Sequence, residues 1–468
     1  MKSVNAIKGV VAVFLFSLAA LAGADSANNR GWKKIDVAPG TYQATDGNGA
    51  AREIAPSCSG GPVCIIDAAT GRPNCRAGNK QFSFYFKPGK EKKLIVYFDG
   101  GGSCWDSNTC VTGQQTGLSA YVPELPESLS QEGLFDRNNR QNPYRNWNIA
   151  VIPYCTGDIH LGSRDQNYTD FTGAVTGAPG GTVTLHHRGF DNFLYVREWL
   201  IDRYAARSED AEEKDEGRQG KKGKKRQEQE NENDGIKKLL VTGSSAGGYG
   251  AVFAYPHLKQ AFPKARGYLM ADAGSGVVSE ALLQQALRLP DARWGATNNL
   301  VRAIPGMEGI FDLPPDRFAQ GFYAALASFY PQDRFSQYTT LFDAVQVLFY
   351  NISLNQNNIA SWSALSPQLF AEWSNQASNN TFITAANPNY RFYIADGCNH
   401  TVLRFNDDFY NTQTTQTVSF LSWFKALTQE GEDETYPANW VNSFCVGCTN
   451  PPTRQEVSAC LQRSGIGR

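Results

Sequence analysis

Short apolar runs alternate along this chain with longer stretches whose apolar positions recur every three or four residues. Lys93 to Phe98 (Lys-Leu-Ile-Val-Tyr-Phe) and Trp147 to Tyr154 have the pattern of buried strands. Gly189 to Ala206 places Phe190, Phe193, Leu194, Val196, Leu200, Ile201 and Tyr204 at a helical period. Lys238 to Thr242, Arg266 to Ala271, Arg334 to Thr340 and Arg391 to Ala395 read as later strands. Ala246 to Phe262 suits a helix, and Thr414 to Leu427 the last large helix. Residues 25–90, rich in Gly, Pro, Asn and Cys, read as loops and short strands. The alternation predicts an α/β fold: a mostly parallel sheet with helices on both faces. Reactive groups in such sheets gather beyond the C-terminal ends of the strands.

Four segments stand apart from this pattern. Lys2 and Lys8 precede an apolar stretch from Gly9 to Leu21, and Ala22-Gly23-Ala24 fits a small-x-small cleavage site. Residues 1–24 are therefore expected to be a signal peptide, and 25–468 one exported domain with no membrane span after cleavage. Residues 208–234 run acidic, basic and acidic again with no aliphatic side chain larger than alanine and no aromatic. Such a segment buries too little apolar surface to offset ordering entropy, so a disordered surface insertion is expected. Residues 275–330, rich in Leu, Ala, Phe and Pro, suit a helical cap over the site. Residues 430–468 form a cysteine-containing extension.

Charge and cysteine content narrow the class. The formal net charge is −1, which gives no electrostatic case for nucleic acid. Ten cysteines in an exported chain point to disulfides, with Cys104 and Cys110 the plainest local pair. Cys445-Val446-Gly447-Cys448 has no second Cys-x-x-Cys or nearby histidine to complete a metal set, so staples are expected and no metal. Localisation is expected to be secreted, extracellular or periplasmic.

The chemistry concentrates where one strand ends. Leu239-Leu240-Val241-Thr242 runs into Gly243-Ser244-Ser245-Ala246-Gly247, a Gly-x-Ser-x-Gly box between a strand and a helix. That is the layout of a nucleophile elbow, with Ser245 exposed at the top of the sheet. A serine hydroxyl needs a base, and the base an orienting acid. Five histidines are present: His160, His186, His187, His257 and His400. The order serine, acid, histidine leaves His257 and His400. His257 lies about three turns along the elbow helix and would point away, so His400, just past the last core strand, is the expected base. Candidate acids after Ser245 include Asp272, Asp312, Asp333, Asp343 and Asp396. Asp343 follows the next-to-last core strand, the usual place of the acid, and is favoured over Asp396; Asp272 is read as a brace for neighbouring loops. Oxyanion donors are expected from the Ala246 amide and from the loop Asp99-Gly100-Gly101-Gly102-Ser103-Cys104-Trp105.

Five segments in order resemble the pectinacetylesterase family. They are Asp99–Cys104, Pro153–Asp158, Gly243–Gly250, Ala271–Gly274 and Cys398–His400, across roughly residues 75 to 405. The resemblance implies an α/β-hydrolase fold and a secreted carboxylic-ester hydrolase. It carries the nucleophile onto Ser245, the base onto His400 and the oxyanion amides onto Gly101, Gly102 and Ala246. The family's acid follows a Tyr-Pro stretch in a Phe-Asp-x-x-Gln segment; Tyr330-Pro331 and Phe342-Asp343-Ala344-Val345-Gln346 match it and point to Asp343. Plant and animal members typically place a tryptophan at or next to the position of Gly102, whereas here Trp105 follows Cys104.

The expected function is a serine carboxylesterase acting through an acyl-enzyme, without cofactor, on short acyl esters of a polysaccharide such as pectin. A protein or lipid deacylase or polyester hydrolase with the same triad, a secreted amidase or peptidase, and a catalytically silent binding protein on the same fold are the alternatives.

Overall fold

The computed structural model describes residues 31–116, 119–126, 128–204, 235–288, 292–414, 418–430, 436–448 and 450–465. The expected signal peptide and the whole of the charged insertion at 208–234 lie outside them. Nine strands form one sheet: β1 (Lys33–Asp36), β2 (Ser83–Lys87), β3 (Lys93–Phe98), β4 (Asn148–Ile152), β5 (Lys238–Ser244), β6 (Arg266–Asp272), β7 (Arg334–Thr340), β8 (Tyr390–Ala395) and β9 (Ser443–Phe444). Their order is β1-β2-β4-β3-β5-β6-β7-β8-β9. Every pair from β4 to β9 is parallel, and β2 runs against both its neighbours. This is the α/β-hydrolase arrangement, a mostly parallel sheet with crossover helices.

The strands are apolar on both faces because both faces are covered. Leu94, Val96 and Phe98 of β3 point into one core, Ile95 and Tyr97 into another. The first core is closed by α1 (Gly189–Tyr204), α2 (Ala246–Ala261), α3 (Pro315–Phe329), α4 (Ala344–Leu354) and α5 (Pro367–Thr384). The second is closed by α6 (Asn406–Asn411) and α7 (Phe420–Leu427), through Phe409, Phe420, Trp423 and Phe424.

One boundary differs from expectation. The last core helix begins at Phe420 and not Thr414: Ser419 caps it by accepting from the Ser422 N–H, and Gln413 pairs with Ser419 in an isolated bridge. The described residues of the 430–468 extension add a short strand to the sheet and a helix beside it. Its β9 pairs with β8, and α8 (Arg454–Arg463) is tied back by the Cys398–Cys460 disulfide. The other disulfides are Cys58–Cys155, Cys64–Cys75, Cys104–Cys110 and Cys445–Cys448. No helix among the described residues is long and apolar enough to cross a membrane.

His257 illustrates the cost of an imidazole in this core. It sits on α2 among Phe190, Phe193 and Phe253, with ring centroids 5.0, 5.8 and 6.0 Å away. Burial drives its pKa from 6.5 down to about 3. The folded chain keeps it neutral while the unfolded chain protonates it, so its contribution is intact above the unfolded pKa and lost as pH falls towards 3. Between pH 6 and pH 4 that loss is about 2 kcal/mol. His257→Phe removes it: urea unfolding at the two pH values should show a stability decrease shallower than wild type by about that amount, and equal slopes would refute the assignment.

Candidate active site

Ser245 stands at the C-terminal end of β5, between strand and helix. Its backbone lies at φ 58°, ψ −124°, a region that β-carbon sterics disfavour. The turn is held by Ser245 N–H donating to Asp272 O (2.7 Å) and Gly248 N–H donating to Ser245 O (2.8 Å). Gly247 is required because α2 starts directly against β3: a Cβ there would run into the Phe98 carbonyl. The structure thus forms the elbow that the Gly-x-Ser-x-Gly box predicts.

Asp343 follows β7 and is fully buried. It caps α4, accepting from the N–H groups of Val345 (3.1 Å) and Gln346 (3.0 Å), and accepts from Gln346 Nε2 at 2.8 Å. The positive end of the helix favours its negative charge. His400 Nδ1 pairs with both carboxylate oxygens, at 2.9 and 2.8 Å. With Nδ1 so engaged, Nε2 is left to act. It is buried without a partner and faces cavities that Ser245 also lines. No hydrogen bond links Ser245 to His400; such bonds often tighten only when substrate is bound.

The other candidates lie elsewhere. Asp396 is exposed and accepts from the Gly397 N–H at 2.6 Å. Asp333 is spoken for by Tyr255 O–H (2.8 Å) and Gly267 N–H (2.9 Å). Asp272 is buried at the end of β6, bonded to Ser244 and to the N–H groups of Val402 and Leu403. His160 pairs with Asp99 O (2.8 Å), His186 with Asp165 (2.8 Å) and His187 with Tyr168 O–H (2.7 Å). Burial holds His160 and His187 neutral, each with its pKa lowered to about 4.

The glycine loop follows β3 and reaches the same place. Val122 N–H donates to Gly101 O and Ser103 N–H to Ala120 O, both at 2.8 Å. These bonds flank the Gly102–Tyr121 bridge and leave the Gly102 N–H outside the ladder. Gly102 has φ +77°, and a Cβ there would meet the Ala120 carbonyl and Phe349 Cζ. Ala246 is the first residue of α2, so its N–H has no intrahelical acceptor. Gly101, Gly102 and Ala246 all line the cavities at Ser245.

Two cavities meet there, sharing Gly102, Ser245, Val345, Phe349 and His400. One, of about 70 Å³, is walled by Ile159, Val277, Leu282, Leu283, Leu287, Trp294 and Phe318. Six of these come from the 275–330 segment, with its short helix Glu280–Leu283 and with α3. The other, of about 330 Å³, is mixed: Asp99, Gln114, Glu124, Glu132, Arg404 and Arg463 line it beside Val122, Tyr154, Phe349 and Phe405. Trp105 is buried outside both, its indole N–H bonded to Gln356 (2.9 Å); Phe349 of α4 occupies the wall beside Gly102.

Fold and site together define a member of the α/β-hydrolase class with a serine on its elbow. Residues 60–206 match the pectinacetylesterase family model. The chain is 30% identical over 86 residues to the palmitoleoyl-protein carboxylesterase NOTUM of Schmidtea mediterranea, covering 17% of this chain and 16% of that protein. It is 29% identical over 94 residues to the Drosophila melanogaster protein of the same name, covering 20% of this chain and 14% of the relative. The chain therefore spans well under a quarter of the length of the curated relatives it matches. A solved structure of the Wnt deacylase Notum from Drosophila aligns over 80% of this chain and 94% of that one, at 16% identity and a TM-score of 0.44. Over these segments the chain is similar to the pectinacetylesterase family and to the Notum carboxylesterases. The family match includes Gly101 and Gly102 and ends before Ser245, Asp343 and His400.

The geometry separates the two acid candidates. With any ester that the wild type turns over, Asp343→Asn should lower kcat on the order of 10⁴-fold by disturbing the tautomer of His400. Asp396→Asn should leave kcat within about twofold, because the residue is exposed and away from the imidazole. The reverse ranking would transfer the acid to Asp396.

Proposed function

We propose that this protein is an exported carboxylic-ester hydrolase that works by acyl transfer through Ser245. The observation that carries this reading is the Asp343–His400 pair, whose free Nε2 faces a cavity shared with a serine on a strained elbow. Ser245 Oγ attacks the ester carbonyl carbon while His400 Nε2 takes its proton. Asp343 holds the imidazole and stabilises the imidazolium. The N–H groups of Gly101, Gly102 and Ala246 stabilise the oxyanion. The C–O bond of the tetrahedral intermediate breaks and His400 returns the proton to the leaving alcohol. Water, deprotonated by His400, then frees the acid from Ser245.

The cavities divide the substrate. The smaller, apolar one receives the acyl chain, and the larger one, which carries the charged side chains, the alcohol. A wall of Leu, Val, Phe and Trp side chains fits an apolar chain longer than acetyl, so the short-acyl expectation gives way to a longer acyl group. The relatives named for removing palmitoleoyl groups from proteins accord with this, and so do the five disulfides with an exported enzyme.

A p-nitrophenyl ester series tests the reading. Burying each methylene is worth about 0.8 kcal/mol, so kcat/KM for the octanoate should exceed that for the acetate by about tenfold or more. Leu283→Trp, which fills the apolar pocket, should remove that advantage and leave acetate hydrolysis within about threefold. Ser245→Ala should abolish both and lose labelling by a fluorophosphonate. An acetate preference in the wild type would overturn the acyl assignment, and unchanged hydrolysis by Ser245→Ala the mechanism.

A further inference from the structure

Asp272 touches both halves of the site without being a member of the triad. Its carbonyl accepts the Ser245 N–H at 2.7 Å. Its carboxylate accepts from Ser244 Oγ (Oδ2, 2.6 Å), from the Val402 N–H (Oδ1, 3.0 Å; Oδ2, 3.1 Å) and from the Leu403 N–H (Oδ2, 3.1 Å). Ser244 in turn accepts from the Tyr97 O–H at 2.8 Å. One residue therefore holds the turn that carries Ser245 and the two amides that follow His400 and Thr401.

The site needs such a tie. Ser245, Ala273 and Thr401 are non-glycine residues with φ of 58°, 56° and 64°, and each is at most two residues from a group that Asp272 bonds, or adjoins Asp272 itself. Backbone held in that region relaxes unless its surroundings fix it. The carboxylate is fully buried with no Lys or Arg in contact among the described ion pairs. Desolvation, its largest influence, pushes its pKa up to about 6 against the pull of its hydrogen bonds. A hydrophobic side chain would avoid that cost, yet would leave the amides of Val402 and Leu403 without acceptors.

We infer that Asp272 is a positioning residue which sets the approach of the His400 imidazole to Ser245, by bonding the nucleophile turn and the base loop to one carboxylate. This rests on the assignment of Ser245 and His400 as nucleophile and base. It is distinct from a role in stability alone, because misplacing either group slows the chemical step in molecules that remain folded.

Asp272→Ala and Asp272→Asn are compared with wild type by exhaustive fluorophosphonate titration, so that kcat is expressed per reactive serine. KM and the thermal midpoint are measured on the same samples. Asp272→Ala should lose about 100-fold in kcat per titrated site, with KM within about threefold and a parallel fall in the labelling rate. Asp272→Asn retains an oxygen for Ser244 and Leu403 but sets an N–H₂ group against the Val402 N–H. It should recover kcat to between about threefold and tenfold below wild type. Should Asp272→Ala not fold, that intermediate value in Asp272→Asn is itself the test. Wild-type kcat per titrated site in a folded variant overturns the inference, whatever the change in thermal midpoint. A wild-type protein that neither labels nor hydrolyses esters removes the Ser245 assignment instead.

Discussion

Asp343 belongs to two structures at once, and the site depends on that. As the cap of α4 it receives two backbone N–H groups, and as the partner of His400 it receives the imidazole. Its geometry is therefore fixed by a helix and not by the ring it orients. The loops around it are joined by backbone as well. Phe342 N–H donates to Gly397 O, Ala344 N–H to Cys398 O, and Thr340 Oγ1 to Asn399 O, at 3.1, 3.1 and 2.7 Å. The segment after β7 and the segment after β8 form one bonded unit, which the Cys398–Cys460 disulfide ties to α8. An imidazole mounted on so constrained a loop loses little entropy on reaching its working position.

The same loop is tied to the strand ends on its other side. Arg404 donates to Asp99, the first residue of the glycine loop, at 2.6 Å, and Asp99 also accepts the Gly100 N–H at 3.0 Å. Burial works against the Arg404 charge, while Asp99 holds its pKa above the usual arginine value. The ends of β3, β6 and β7 each contribute or precede one carboxylate that bonds the 398–405 segment: Asp99, Asp272 and Asp343. Parallel strands bring their C-terminal ends to a common edge, so acids far apart in sequence converge on one loop.

Strands and the elbow were legible because they depend on local pattern. β3 and β7 run over Lys93–Phe98 and Arg334–Thr340 as the apolar runs predict, and β5 ends at the serine box. The stretch Thr414–Leu427 misled because its polar start gives way to helix only at the Ser419 cap. Periodicity shows where apolar positions fall, whereas a cap depends on one side chain reaching one N–H. The short helix α6 and the strand β9 were missed for a related reason: six residues and two residues give no period to read. Asp343 could be favoured over Asp396 by position after a strand, but its burial follows from the packing of α4, which no local pattern reports. The carboxylate of Asp272 was legible as a brace, though not which amides it holds.

The cavities were beyond the sequence because their walls are assembled from distant segments. Gly102, Leu283, Phe318, Phe349 and His400 come together only after the sheet is built. Trp105 packs away from the cavities, and the surface beside Gly102 is supplied instead by α4, the helix that Asp343 caps. Asp343, which pairs with His400, and Phe349, which walls the cavity, therefore belong to one helix and its cap, six positions apart. A shift of α4 that widened the pocket would also move the Asp343 carboxylate under His400. On the proposed roles, acyl selectivity and the alignment of His400 are mechanically coupled through α4, whereas the 275–330 segment supplies six cavity-wall side chains from outside that helix.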